Sequence, residues 1–154
     1  MKYSSDISEF LLLLFQNKVH YMIVGGEAVI YYGYSRTTGD VDIFYGSKED
    51  NIIRLYTALN QFWNNNIPGI TDISPLKNKG TVIQYGLPPN RIDLLNDIDG
   101  VEFYDAWDNR HIVEYEFKGT SFNINYIGLD DLIKNKKASC RNLDLADLEY
   151  LQNL

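Results

Sequence analysis

The sequence predicts an α+β fold, a mixed β-sheet with helices packed against it. Three observations carry this. Segments of helical and of strand periodicity alternate through the first part of the chain. A hairpin pattern follows near residues 111–127. Two helical segments then close the sequence, and such a mixture suits helices layered on a mixed sheet.

The elements follow in order. Ile7, Phe10, Leu11, Leu14 and Phe15 fall on one helical stripe, and Asp6 with Glu9 has capping-box spacing ahead of it. That predicts an amphipathic helix ending near Asn17. Tyr21 to Val24 reads as a strand stopped by Gly25-Gly26, and Glu27 to Tyr32 as a short helix ended by Gly33. The polar residues Tyr34 to Gly39 lead into a second strand, Asp40 to Tyr45. Ser47 to Asp50 is a second capping-box spacing, opening a helix to about Trp63. Its apolar face is Ile52, Leu55, Tyr56, Leu59, Phe62 and Trp63. Residues 64–80 have no clean period and read as an irregular surface passage. Thr81 to Tyr85 and Arg91 to Leu95 are strands on either side of a Pro88-Pro89 turn. Residues 101–108 are ambiguous, with one helical turn the nearest fit. His111 to Phe117 and Ser121 to Ile127 flank Lys118-Gly119-Thr120 as a hairpin. The last helices begin at Asp130, running to about Ala138, and at about Leu143.

At 154 residues the chain suits one domain, 1–154. Its one cysteine, Cys140, allows no internal disulfide, so a reducing compartment is expected, with Cys140 a small buried side chain. The longest wholly apolar run, Phe10 to Phe15, is too short to cross a bilayer, and the N-terminus lacks signal-peptide features. A soluble, cytoplasmic protein is the expectation. A net charge of −7 argues against attraction of nucleic acid over the whole surface. A local basic patch for a triphosphate or an RNA end is compatible with it.

The informative stretch is Ile23-Val24-Gly25-Gly26 followed by Asp40-Val41-Asp42-Ile43. Residues two apart on a strand share a face, so Asp40 and Asp42 project together while Val41 and Ile43 enter the core. Paired carboxylates repel unless protons or a cation separate them, and hard oxygen ligands suit Mg²⁺. The glycines allow backbone N–H groups to approach a phosphate. Asp93, in Arg91-Ile92-Asp93-Leu94-Leu95, repeats the pattern of an acid among apolar strand neighbours. If its strand lies beside that of Asp40 and Asp42, the three acids converge on one or two Mg²⁺ ions, with Mn²⁺ as a substitute. The alternative is structural: Asp40 caps its strand and Asp93 pairs with Arg91 or Arg36. His20 and His111 have no partners at zinc-ligand spacing. Tyr31, Tyr32 and Tyr34 are either core aromatics or a stacking surface for a nucleobase.

Apolar-Gly-Gly, a gap of thirteen residues (27 to 39), Asp-apolar-Asp-apolar and a later apolar-Asp-apolar strand resembles the nucleotidyltransferase fold shared with DNA polymerase β. The likeness extends to small nucleotidyltransferases related to the toxin components of abortive-infection systems. It is carried by Gly25-Gly26-Glu27-Ala28, by Arg36-Thr37-Thr38-Gly39-Asp40-Val41-Asp42, and by Lys137, Arg141, Asp144 and Asp147. Gly26 stands where many members carry serine. The resemblance implies a palm-like mixed sheet and transfer of a nucleoside monophosphate from an NTP, ATP favoured, to a hydroxyl or phosphate acceptor with release of pyrophosphate. It implies that Asp40, Asp42 and Asp93 hold the metals, with Asp93 as base, and that Gly25 and Gly26 contact the triphosphate. Arg36 and Thr38 would face the phosphates. Lys137 and Arg141, four apart on a continuing helix, would offer cations from one face. Acceptors implied are a small molecule, a protein side chain or a tRNA end, with a homodimer or a helical antitoxin-type partner completing the acceptor site. The competing reading is a catalytically idle nucleotide-binding or interaction module.

Overall fold

The computed structural model describes residues 2–154. In chain order the elements are α1 (Ser5–Gln16), β1 (Tyr21–Val24), α2 (Gly25–Tyr31), β2 (Asp40–Tyr45), α3 (Glu49–Phe62), α4 (Ser74–Lys77) and β3 (Val82–Tyr85). They continue with β4 (Arg91–Leu95), α5 (Phe103–Trp107), β5 (His111–Phe117), β6 (Thr120–Tyr126), α6 (Leu129–Ser139) and α7 (Asn142–Gln152). The strands form one mixed sheet in the order β3-β4-β2-β1-β6-β5. The outer pairs β3/β4 and β5/β6 and the central pair β1/β2 are antiparallel, whereas β2/β4 and β1/β6 are parallel. This is the α+β architecture expected, consistent with a nucleotidyltransferase-like fold.

Strand β2 shows how the sequence fixes the register. Val41, Ile43 and Tyr45 are fully buried on one face, and Asp40 and Asp42 lie on the other. Each buried aliphatic side chain stabilises the fold by about 1.5–3 kcal/mol. A slip of one residue would exchange these side chains for the aspartates, so the register is strongly specified. On the parallel neighbour β4, Ile92 and Leu94 are buried, and the pairing sets Asp40 opposite Arg91 and Asp42 opposite Asp93. Further along the aspartate face, Phe44 packs edge-on against Phe103 of α5 at 5.1 Å. Elsewhere in the core α1 and α3 pack together, with Phe10 edge-on to Phe62 at 5.3 Å.

Most departures from expectation lie at element ends. Helix α1 is capped by Ser4, whose hydroxyl accepts the Ile7 N–H at 3.4 Å, and not by Asp6. The earlier start follows from Tyr3, which is buried and tied to the hydroxyls of Tyr115 at 2.9 Å and Tyr126 at 2.6 Å. The Ser47 capping box does not form. The Lys48 N–H is taken by the Tyr104 hydroxyl at 2.9 Å, and the first turn of α3 is tied in by Asn51. The Asn51 amide bonds to both backbone groups of His20 and to the Gly46 carbonyl. Residues 64–80 contain α4, and residues 101–108 contain α5. Cys140 is exposed, not buried, because it ends α6 in the left-handed conformation at φ 52°. No helix among the described residues is long and apolar enough to cross a membrane.

Candidate active site

The aspartate face of β2 and β4 is roofed by α6 and by the start of α7, leaving a cleft of about 500 Å³. Its floor holds Asp40, Asp42, Arg91 and Asp93, one wall Val24 and Gly25, and the opposite wall Val82, Leu95 and the loop Asp97–Asp99. The roof is Asn135, Lys136, Ser139 and Arg141. The parallel register brings one carboxylate oxygen of each of Asp40, Asp42 and Asp93 within 4.8 Å of the others. Gly25 leaves β1 at φ +65°, a conformation that L side chains rarely adopt. A Cβ there would collide with the Asp42 carboxylate, so the glycine serves both the turn and the close approach. Gly26 has the second role alone: Thr38 Oγ1 and Arg36 would lie 2.8 Å and 3.0 Å from an added Cβ.

The three acids have different partners. Arg91 Nη2 donates to Asp40 Oδ2 at 2.7 Å, and its Nε and Nη2 donate to Asp93 at 2.9 Å and 3.1 Å. Thr38 donates to Asp40 Oδ1 at 3.2 Å, and Gln84 of β3 to Asp93 Oδ2 at 3.2 Å. Among the described residues Asp42 has no cation within ion-pair distance. Burial, and then the charges of Asp40 and Asp93, push the Asp42 carboxyl up to about 7. Burial raises Asp93 as well, against the opposing hydrogen bond from Arg91. An arrangement that resists losing its last proton is one that a divalent cation would relieve. Three hard oxygen donors in convergence fit Mg²⁺.

A second charge cluster fixes the roof. Lys136, 2% exposed on α6, places Nζ 3.0 Å from Asp144 and 3.1 Å from Asp147, both fully buried on α7. Asp147 also faces Arg36, with Nε and Nη2 at 3.0 Å and 3.1 Å. Asp144 accepts from the Arg141 backbone N–H at 3.1 Å and from its Nε at 2.9 Å. Burial alone would raise Asp144, but the hydrogen bonds from Arg141 and Lys136 outweigh it and hold the carboxyl well below the usual range.

Of the residues expected at the site, Asp40, Asp42, Asp93, Gly25 and Arg141 line the cleft. Gly26, Arg36 and Thr38 lie behind it: Thr38 orients Asp40, and Arg36 is bound to Asp147 over Gly26. Lys137 is exposed and outside the cleft; its neighbour Lys136 takes the inward place. The expected shared face with Arg141 does not form, because α6 stops at Ser139 and Arg141 begins a new helix. Tyr31 stacks on Tyr126 at 4.1 Å and Tyr34 on Tyr150 at 4.7 Å, so both rings are engaged within the protein. Sequence reasoning missed Gln84, Asp97, Asp99 and Lys136. The signal for Lys136 was present: Leu129, Leu132, Ile133 and Lys136 have the i, i+3, i+4, i+7 spacing of one helix face.

No curated protein matches the chain. Residues 4–152 match the model of a family described as "Nucleotidyltransferase of unknown function (DUF6036)". That match covers nearly the whole chain and includes every residue of the cleft, and the chain belongs to this family of nucleotidyltransferases of unknown function.

Proposed function

We propose that the cleft transfers a nucleoside monophosphate from an NTP, ATP favoured, to a hydroxyl or phosphate acceptor, releasing pyrophosphate. The observation that carries this is the convergence of Asp40, Asp42 and Asp93 within 4.8 Å on the floor of an open cleft. The three carboxylates would hold Mg²⁺, which when bound supplies the positive charge that a phosphoryl transfer needs at the attacking and leaving oxygens. In the transfer the acceptor oxygen bonds to the α-phosphorus and the bond from that phosphorus to the pyrophosphate oxygen breaks. For a hydroxyl acceptor the proton passes to Asp93, which Gln84 holds in orientation. Gly25 presents backbone to the triphosphate. Arg141, whose guanidinium is largely exposed at the cleft roof, offers it a cation, and Lys136 with Arg36 keeps that roof in place. The acceptor is a small molecule, a protein side chain or a tRNA end; the net charge of −7 favours the first two. A homodimer or a helical antitoxin-type partner would complete the acceptor site.

One observation favours a second reading. Arg91 neutralises Asp40 and Asp93, as a structural ion-pair network would. Such a network suits a catalytically idle nucleotide-binding module, for example one component of a toxin–antitoxin pair. Incubation with each α-labelled NTP, Mg²⁺ and cell extract separates the two. Label transferred by the parent protein and not by an Asp40→Ala/Asp42→Ala variant supports transfer and identifies the acceptor class. Absence of labelled product with every NTP and divalent ion supports the idle module.

A further inference from the structure

Arg91 opens β4 two residues before Asp93, so both side chains share the face that looks into the cleft. Its register partner across β2 is Asp40. The guanidinium therefore lies between the two acids, and its Nη2 alone reaches Asp40 Oδ2 at 2.7 Å and Asp93 Oδ2 at 3.1 Å. With the Nε bond to Asp93 Oδ1 at 2.9 Å and the Thr38 bond to Asp40 Oδ1 at 3.2 Å, all four oxygens of these two carboxylates already accept hydrogen bonds. Guanidinium has donors only and stays charged, so it fills the place that a metal cation would take. The Arg91 side chain is 30% exposed, against 3% for Lys136 in the roof cluster, so its own charge stays hydrated when it swings into the cleft and the buried Asp93 is left to the incoming cation.

We propose that Arg91 is the resident counter-ion of the acid triad, and that a divalent cation binds by displacing its guanidinium from between Asp40 and Asp93. This rests on the metal reading above. Two cations within a few ångströms repel strongly in a partly buried site, so exchange is favoured over co-occupancy. In the resting protein Arg91 keeps Asp40 and Asp93 together beside Asp42. On exchange it is freed at the mouth of the cleft, where incoming phosphate oxygens become its partners. The triad is thus held assembled at the expense of its affinity for metal alone.

The test uses Mn²⁺ without nucleotide, followed by electron paramagnetic resonance of the free ion. Arg91→Ala should bind Mn²⁺ about ten-fold more tightly than the parent, because both a competitor and a repelling charge are gone. Arg91→Lys should fall between them, since a single ammonium cannot bridge two carboxylates as a fork does. Weaker or unchanged binding in both variants would make Arg91 an orienting residue and overturn the inference. A readout on the parent guards against misfolded variants. The Arg91 Nε–H resonance, assigned by its loss in Arg91→Lys, should shift on addition of diamagnetic Mg²⁺; an unmoved resonance at saturating Mg²⁺ also overturns it. Asp42→Asn separates this inference from the metal reading. If the parent binds Mn²⁺ and Asp42→Asn does not, that reading stands whatever Arg91 does. If the parent binds none, both fall together.

Discussion

Two charge clusters face each other across the cleft, and they are balanced in opposite ways. The floor sets three carboxylates, Asp40, Asp42 and Asp93, against one guanidinium. The roof sets two carboxylates, Asp144 and Asp147, against Arg36, Lys136 and Arg141. The carboxyl groups respond accordingly: Asp42 and Asp93 are raised, whereas Asp144 is lowered. A deficit of cations recruits one, so the floor is where an ion would bind. A surplus whose members are mutually paired holds elements together, so the roof is where structure is fixed. The same residue types thus serve two ends, and their ratio distinguishes them.

The largest expected effect tests the floor. Asp42→Asn should lower nucleotidyl transfer by about 10³-fold or more, the scale of losing a principal electrostatic group, while circular dichroism stays that of the parent. A variant with parental activity would leave the floor no different in kind from the roof. Next comes the roof itself. Lys136→Met removes the ammonium shared by two buried carboxylates, leaving Asp144 to Arg141 and Asp147 to Arg36, and urea unfolding should report a loss of about 1.5–3 kcal/mol. A loss below about 1 kcal/mol would mean that the roof is held by apolar packing instead. Gly25→Ala should cost about 1–3 kcal/mol, because the residue is held at φ +65° and its Cβ would meet Asp42. The smallest effect is the control beside Lys136. Lys137→Ala should change stability by no more than about 0.5 kcal/mol, since Lys137 is exposed.

A pH series sharpens the contrast. Asp42 is raised from 3.8 to about 7 in the folded protein, so the folded state keeps a proton that the unfolded state releases. The stability from that proton is fully present below about pH 3.8 and is lost as pH rises through about 7. Asp144 has the opposite sign: its contribution is present above the ordinary carboxyl range and lost as pH falls. In metal-free buffer the parent should therefore lose melting temperature relative to Asp42→Asn between pH 4 and 7, a difference to which Asp144 contributes nothing. Parallel curves for the two proteins would contradict the raised carboxyl.

How much of this was legible in the sequence depended on whether the information was local. Strand alternation set Asp40 and Asp42 on one face, with Asp93 joining them only if its strand lay alongside, and β1, β2 and β4 begin and end where their residue patterns place them. The glycine pair marked the turn but not its geometry, because the residue pressing on Gly25 comes from another strand. Lys136 and Lys137 are indistinguishable by composition and differ only by a rotation about the α6 axis, which its apolar neighbours set. The break between α6 and α7 carries no glycine; Cys140 takes the left-handed conformation usually left to one. Arg91 was visible as a partner for Asp93. Its second bond, to Asp40, required knowing that β4 runs parallel to β2 in this register.

That parallel pairing also governs how the molecule reaches its native state. An antiparallel hairpin forms from adjacent residues, but β2 and β4 meet only after the intervening chain, with α3, α4 and β3, has been looped back. Contacts of such long sequence separation form late in folding, because the entropy of closing the loop precedes any reward. Asp93 would then approach two existing carboxylates in a partly collapsed chain, an encounter that repulsion should slow. The strand that brings this third negative charge carries Arg91 two residues ahead of it. The neutralising charge thus arrives on the same segment as the charge it must offset, and the protein can assemble its most repulsive site without a metal to help.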